Sequence, residues 1–216
     1  LSWNASSDNV AVTGYDVYRN GSLLASTGST SYNVSGLSAS TTYSFYVKAK
    51  DAAGNVSAAS NTVSVTTDDE TITYCTSQGN NYSYEWIAGV TIGTFSNTSG
   101  AAGYTNFTSK TVTMAAGTSY SITLTPGFSG SSYNEYWKIW VDLNADGDFD
   151  DSGELIFDAD SMSNTTVTGN MSIPAGTSPK STRMRVSMKY NAAQTACETF
   201  SYGEVEDYTL SITQSA

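Results

Sequence analysis

Tyr15-Asp16-Val17-Tyr18, closed by Asn20-Gly21, reads as a strand running into a hairpin turn. The tight turn that suits twisted strands needs positive φ at both central positions, and Asn-Gly adopts it at least cost. Ser44-Phe45-Tyr46-Val47-Lys48-Ala49-Lys50 alternates apolar and polar residues, the period of a half-buried strand. Asp51-Ala52-Ala53-Gly54-Asn55 is the turn after it, and Asn61 to Thr67 reads as a further strand. Short strands between regular turns predict a β-sandwich over residues 1–67.

The same period continues beyond an acidic run, Asp68-Asp69-Glu70, which reads as a solvated linker. Strands are expected at Ser109 to Met114, Ser119 to Thr125, Tyr136 to Val141, Thr182 to Tyr190 and Tyr208 to Ile212. The expected fold class is therefore all-β: two consecutive β-sandwich domains, 1–67 and 71–216.

Between two of these strands lies Asp142-Leu143-Asn144-Ala145-Asp146-Gly147-Asp148-Phe149-Asp150-Asp151-Ser152-Gly153-Glu154. Oxygen-bearing side chains at every second position, with glycine after the third, let one tight loop wrap a hard cation. An all-oxygen donor set suits Ca²⁺ better than zinc. The expected ligands are Asp142, Asn144, Asp146, the Asp148 carbonyl, and Glu154 or Asp150, with Asp158 in reserve. Glu154 falls one residue beyond the bidentate position of a helix-loop-helix calcium loop, and Trp137 to Val141 is a strand. The loop is therefore expected between strands. The alternative is a polar hairpin without metal.

Composition narrows the function. Nine Lys and Arg against 20 Asp and Glu give a formal net charge of -11. Such a chain repels nucleic-acid phosphates and anionic membranes, and no apolar run approaches the ~18 residues of a membrane-spanning helix. There is no histidine. Ser-His-Asp and Cys-His nucleophile systems and His-ligated zinc are excluded, as is a phosphate-binding GxxxxGK loop. A carboxylate-only glycosidase would want a deep cleft, which small sandwiches seldom offer. The expectation is a segment that is not an enzyme. Cys75 and Cys197 suit one long-range disulfide in an oxidising compartment, the alternative being two buried thiols. The abrupt start at Leu1-Ser2-Trp3 suggests a piece of a longer secreted precursor, a monomer within a larger multidomain chain.

Two resemblances sharpen this reading. Leu1-Ser2-Trp3, Gly14 to Gly21, Gly36-Leu37-Ser38-Ala39-Ser40-Thr41-Thr42-Tyr43 and Asp51 to Ser57 resemble a bacterial fibronectin type III module. The resemblance places Trp3 in a core and Tyr43 at a corner, and implies that the family's first strand is missing ahead of Leu1. Tyr202-Gly203-Glu204-Val205-Glu206-Asp207-Tyr208-Thr209-Leu210 resembles the GEVED domain of secreted bacterial proteins. Tyr74-Cys75, Glu85-Trp86-Ile87, Gly103-Tyr104, the Trp140 to Glu154 loop, Arg183-Met184-Arg185-Val186 and Cys197 support it. It implies a sandwich with a core Trp86, a Cys75–Cys197 disulfide and no catalytic residues.

Alternation puts Glu204 and Glu206 on the same face as Tyr208, Leu210 and Ile212. Buried carboxylates need partners. Pairing with Arg183 or Arg185, or a β-bulge near Val205, is expected to provide relief.

Fifteen Tyr and four Trp are a heavy aromatic load. Aromatic faces stack on sugar C–H surfaces, and Tyr82, Tyr84, Tyr133, Tyr136 and Lys138 are the candidate ligand platform. The expected function is carbohydrate binding that holds a parent enzyme on a polysaccharide. The alternative is binding to an extracellular protein surface, as an adhesion or spacer module of a secreted protease.

Overall fold

A computed structural model describes residues 1–68 and 72–214. Asp69 and Glu70 of the expected linker lie outside the described residues. The chain forms two compact units, Leu1–Thr71 and Ile72–Ala216.

The first unit is built on β1 (Val12–Arg19), β2 (Ser22–Thr27), β3 (Thr42–Asp51) and β4 (Val63–Thr66). They form one antiparallel sheet in the order β2-β1-β3-β4. Asn20 and Gly21 join β1 to β2 with φ of 49° and 82°, the double positive that their sequence predicts. Val17 and Tyr15 of β1 and Phe45 and Ala49 of β3 are buried. The second layer is short. Ser2 bridges Ser31, and the Trp3 ring meets Tyr15 edge-on at 5.4 Å. The Tyr43 hydroxyl accepts the Ser38 N–H at 3.0 Å, a tyrosine corner pinning the turn before β3. A cleft of about 570 Å³ runs between Leu1–Ser6 and residues 57–63 beside β3.

The second unit adds β5 (Gln78–Asn81), β6 (Glu85–Ile92), β7 (Phe95–Thr98), β8 (Tyr104–Ala115), β9 (Ser119–Phe128) and β10 (Glu135–Val141). It continues with β11 (Leu155–Asp158), β12 (Val167–Ser172), β13 (Lys180–Tyr190) and β14 (Thr199–Thr213). One sheet runs β11-β10-β13-β14-β5, with β8 also paired to β14; the other runs β12-β9-β6-β7. The 15-residue β14 pairs antiparallel with β13 on one side. On its other side it pairs parallel with β5 and then with β8.

The sheets bury a single apolar layer. Ile87, Val90 and Ile92 of β6 and Ile122 and Leu124 of β9 face Trp137, Ile139 and Val141 of β10 and Met184, Val186 and Met188 of β13. Each such aliphatic side chain, removed from water, contributes about 1.5–3 kcal/mol before entropy is charged against it. Trp137 is in this layer, as its alternation with Ile139 and Val141 predicts. Trp86 is not. It points away from the core and lies half-buried over Gly127, where a Cβ would come within 2.4 Å of its ring. Glu85 and Ile87 take the inward positions, so the pleat leaves Trp86 only the outer face.

A smaller cluster forms on the outer side of the larger sheet, where Trp140, Phe149 and Ala196 are buried against Tyr74 and Cys75. Cys75 and Cys197 are disulfide-bonded, with Cα atoms 5.5 Å apart.

Candidate functional site

The Asp142–Glu154 loop connects β10 to β11, two antiparallel neighbours. Its ends are set by two buried carboxylates. Asp142 accepts the Ala145 and Gly147 N–H groups at 2.6 and 3.1 Å, and the Tyr74 hydroxyl donates to it at 2.8 Å. Glu154 accepts the N–H groups of Leu143 and Asp151 at 2.7 and 3.2 Å. Burial raises the Glu154 carboxyl above its usual range and raises the Tyr74 hydroxyl to about 12. Phe149 fastens the middle of the loop, its ring 5.3 Å from Tyr74 with the Arg185 guanidinium 5.0 Å away.

Three exposed carboxylates, Asp146, Asp148 and Asp151, offer oxygens within 4.8 Å of one another. The Asn144 amide stands among them, donating to Asp146 at 2.8 Å and to Asp151 at 2.6 Å. Asp150 is exposed outside this group, and its N–H bonds Asp148 at 2.9 Å. Asp158 instead forms an ion pair with Lys138 at 3.4 Å. The sequence pattern named Asn144, Asp146 and Asp148 but did not single out Asp151. That residue is held there by the Asn144 amide, which donates to its carboxylate, and by its own N–H, which donates to Glu154.

The glutamates of the Tyr202–Leu210 segment are buried, and their partners differ from the expected ones. Glu204 accepts the Ile87 N–H at 2.9 Å and the Thr105 hydroxyl at 3.0 Å. Glu206 accepts hydroxyls from Ser99 at 2.5 Å and Tyr208 at 2.6 Å. Burial, reinforced by Glu206, still pushes Glu204 up to about 8, and burial raises Glu206 as well. Both arginines go to Asp207. Arg185 grips it through two bonds of 2.8 Å, and Arg183 adds one of 3.1 Å. Register decides this. Arg185 lies opposite Asp207 in the β13–β14 ladder, whereas Val186 lies opposite Glu206. Pairing across β13–β14 is continuous through Val205, so no bulge intervenes there.

The candidate ligand residues divide into three places. Tyr136 and Lys138 share the outer face of β10, with the Lys138 ammonium 5.7 Å above Tyr136 and 5.9 Å from Trp140. Tyr82 is exposed beside Gly103. Tyr84 and Tyr133 come together with two residues the platform did not include, Tyr190 and Tyr202.

These four rings form a closed circuit. Centroids are 6.5 Å apart for Tyr84–Tyr133, 5.9 Å for Tyr133–Tyr190, 6.1 Å for Tyr190–Tyr202 and 6.1 Å for Tyr202–Tyr84. The planes meet at 60–89°, so edges and faces both line the space. Phe128 supports Tyr133 from behind at 6.1 Å. The rings sit near strand ends: Tyr84 directly before β6, Tyr133 two residues before β10, Tyr190 at the end of β13 and Tyr202 early in β14. They surround a cavity of about 270 Å³ whose remaining wall is Glu85. Glu85 is 2% exposed and has no hydrogen bond or ion pair among the described residues. Glu135 is 0% exposed, and neither of its carboxyl oxygens has a partner. Burial, then the Glu85 charge, pushes Glu135 up to about 8.

A sandwich with a corner tyrosine, followed by a larger sandwich with a disulfide, an acidic loop and a glutamate-rich central strand, defines a two-module all-β chain. Residues 1–66 match the fibronectin type III domain and residues 136–211 match the GEVED domain. The chain thus carries a fibronectin type III domain followed by a GEVED domain.

Among curated relatives, chitinase Chi52 of Paenibacillus xylanexedens is 68% identical over 69 residues, 32% of this chain and 13% of the relative. Exoglucanase A of Cellulomonas fimi is 59% identical over 73 residues, 34% of this chain and 8% of the relative. A solved structure, chitinase ChiA74 from Bacillus thuringiensis, aligns over 81% of this chain and 24% of its own with 23% identity and a TM-score of 0.29. The chain therefore spans only a small part of the curated relatives it matches. No helix among the described residues is long and apolar enough to cross a membrane.

Proposed function

We propose that this chain is a non-catalytic, extracellular accessory segment of a polysaccharide-degrading protein, and that its second sandwich binds carbohydrate. The observation that carries the reading is the closed circuit of Tyr84, Tyr133, Tyr190 and Tyr202 around an open cavity. Tyrosine rings offer apolar faces to sugar C–H groups and hydroxyls to sugar oxygens. The cavity lies near the lower end of the roughly 300–1,000 Å³ typical of small-ligand sites, so it suits one saccharide unit rather than a long groove-bound chain. The relatives' names, chitinase and exoglucanase, are those of enzymes acting on polysaccharides, and the matched stretch is a small part of each. The disulfide supports an oxidising compartment. The lack of histidine, and the use of Glu204 and Glu206 as acceptors for structural N–H and O–H groups, support a role without turnover.

The acidic loop completes the proposal as a Ca²⁺ site. Three convergent carboxylates and the Asn144 carbonyl provide hard oxygen donors. The Asn144 amide N–H groups now occupy the space between Asp146 and Asp151 while its oxygen accepts the Asp146 N–H at 3.1 Å, so a cation would displace the amide nitrogen from between the carboxylates. The ion would neutralise the loop and brace it.

Affinity electrophoresis against soluble glycans, with pull-down on insoluble ones, tests the reading. A mobility shift that is lost in Tyr84→Ala and Tyr133→Ala is expected. Retention by protein surfaces with no shift on any glycan would replace it with a protein-binding role.

A further inference from the structure

The cavity's floor has a chemistry its walls do not explain. Glu85 opens β6 and Glu135 opens β10, the inward positions of two facing sheets. Glu85 lines the cavity, whereas Glu135 does not reach it but lies out of water within range of the Glu85 charge. A buried carboxylate normally carries hydrogen-bond donors or a cation. Glu204 and Glu206, equally buried in the same core, do have donors. Both Glu135 oxygens are buried without a partner, the Glu85 side chain at the cavity wall has no hydrogen bond or ion pair among the described residues, and no lysine or arginine lines the cavity. Packing does not require this arrangement, since glutamine or an apolar residue would be cheaper at both positions. The charge requirement is complementary to a ligand.

Aromatic walls around a carboxylate floor are the arrangement that attracts an organic cation, because the faces of the rings carry negative electrostatic potential. We infer that the cavity walled by Tyr84, Tyr133, Tyr190 and Tyr202 takes a protonated amine borne on a sugar ring, with the ammonium directed at Glu85. This rests on the carbohydrate reading above and narrows it to amino sugars with a free, non-acetylated amine. The ammonium supplies the N–H donors that the Glu85 carboxyl lacks, while the rings cover the sugar's C–H faces. An acetylated amine is neutral and bulkier, and offers one amide N–H but no charge to the carboxylate. The net charge of -11 favours approach of a cationic polymer over an anionic one.

Isothermal titration of the intact chain separates the possibilities, with a β-linked glucosamine tetramer, the matching N-acetylglucosamine tetramer and tri-lysine as probes. Salt near 0.15 M limits unspecific attraction to the acidic surface. The glucosamine tetramer should bind about tenfold or more tightly than the acetylated one, within the range of a desolvated cation over aromatic rings. Glu85→Gln and Glu85→Gln/Glu135→Gln should abolish that preference while melting as cooperatively as the parent. If both tetramers bind equally, the amine inference falls and the carbohydrate reading stands. If tri-lysine binds as well as the glucosamine tetramer, the site reads amines without regard to sugar and the inference falls. If no saccharide binds, both readings fall together.

Discussion

Asp207 is a carboxylate with no exposed surface, held by two guanidinium groups and by the Tyr104 hydroxyl at 3.1 Å. Arg185, itself 2% exposed, has no other carboxylate. Such pairs are costly to assemble but more costly to break, because the surviving charge is stranded out of water. Asp207→Asn is therefore expected to destabilise the second unit by about 3–5 kcal/mol, read from the urea midpoint at constant slope. The arginine–carboxylate match could not be read from the segment itself. Alternation puts Arg183 and Arg185 on one face of β13, but only the register says which β14 residue lies opposite.

Glu135 and Glu204 add a pH dependence. Each is raised to about 8 when folded and ionises near 4.3 when unfolded. Between these values the folded chain holds protons that the unfolded chain has lost, so stability falls as pH rises, and the loss is complete above the folded value. The melting temperature should drop from pH 5 to pH 8.5, and Glu135→Gln should flatten that slope. A melting temperature independent of pH over this range would contradict their burial as carboxyls.

Elements show a different balance between what is legible and what is not. The β10–β11 loop was readable because its spacing is local: Asp142, Asn144, Asp146 and Asp148 lie within one turn's reach whatever surrounds them. Asp151 breaks the every-second-residue spacing and joins through its contacts with Asn144 and Glu154, which only the folded loop shows. The loop should respond to metal. EDTA is expected to lower the melting temperature of the second unit, Ca²⁺ to restore it, and Asp146→Ala/Asp151→Ala to remove the difference, as differential scanning calorimetry would show. Strand β14 likewise explains the glycine in its signature. Gly203 has φ of +120°, and a Cβ there would lie 2.1 Å from the Met188 carbonyl oxygen. Side-chain-free backbone is what lets β13 run past it.

At the scale of the whole molecule, period and turn chemistry carried the class and the division into two sandwiches. They did not carry the tyrosine-walled cavity, because its residues span positions 84 to 202 and converge only when both sheets close. They did not place Trp86 either, since family position said core while the pleat put Glu85 and Ile87 inward. The disulfide ties residues 122 positions apart within the second unit. In the chain-entropy picture that closure is worth up to about 4–5 kcal/mol. Reduction, or Cys75→Ala/Cys197→Ala, should lower the second unit's melting transition and leave the first unit's unchanged, which tryptophan fluorescence and calorimetry can follow together.

The strand at the heart of the larger sheet is also the last in chain order among the described residues, and two of its three neighbours, β5 and β8, precede it by about a hundred residues. Such distant, parallel pairings form slowly, because long loops must close before they are rewarded. A nascent chain cannot finish this sandwich while residues 199–213 are still inside the ribosome. Until then β5 and β8 have unmatched edges, and the polypeptide stays open, threadable and dependent on whatever keeps it from aggregating.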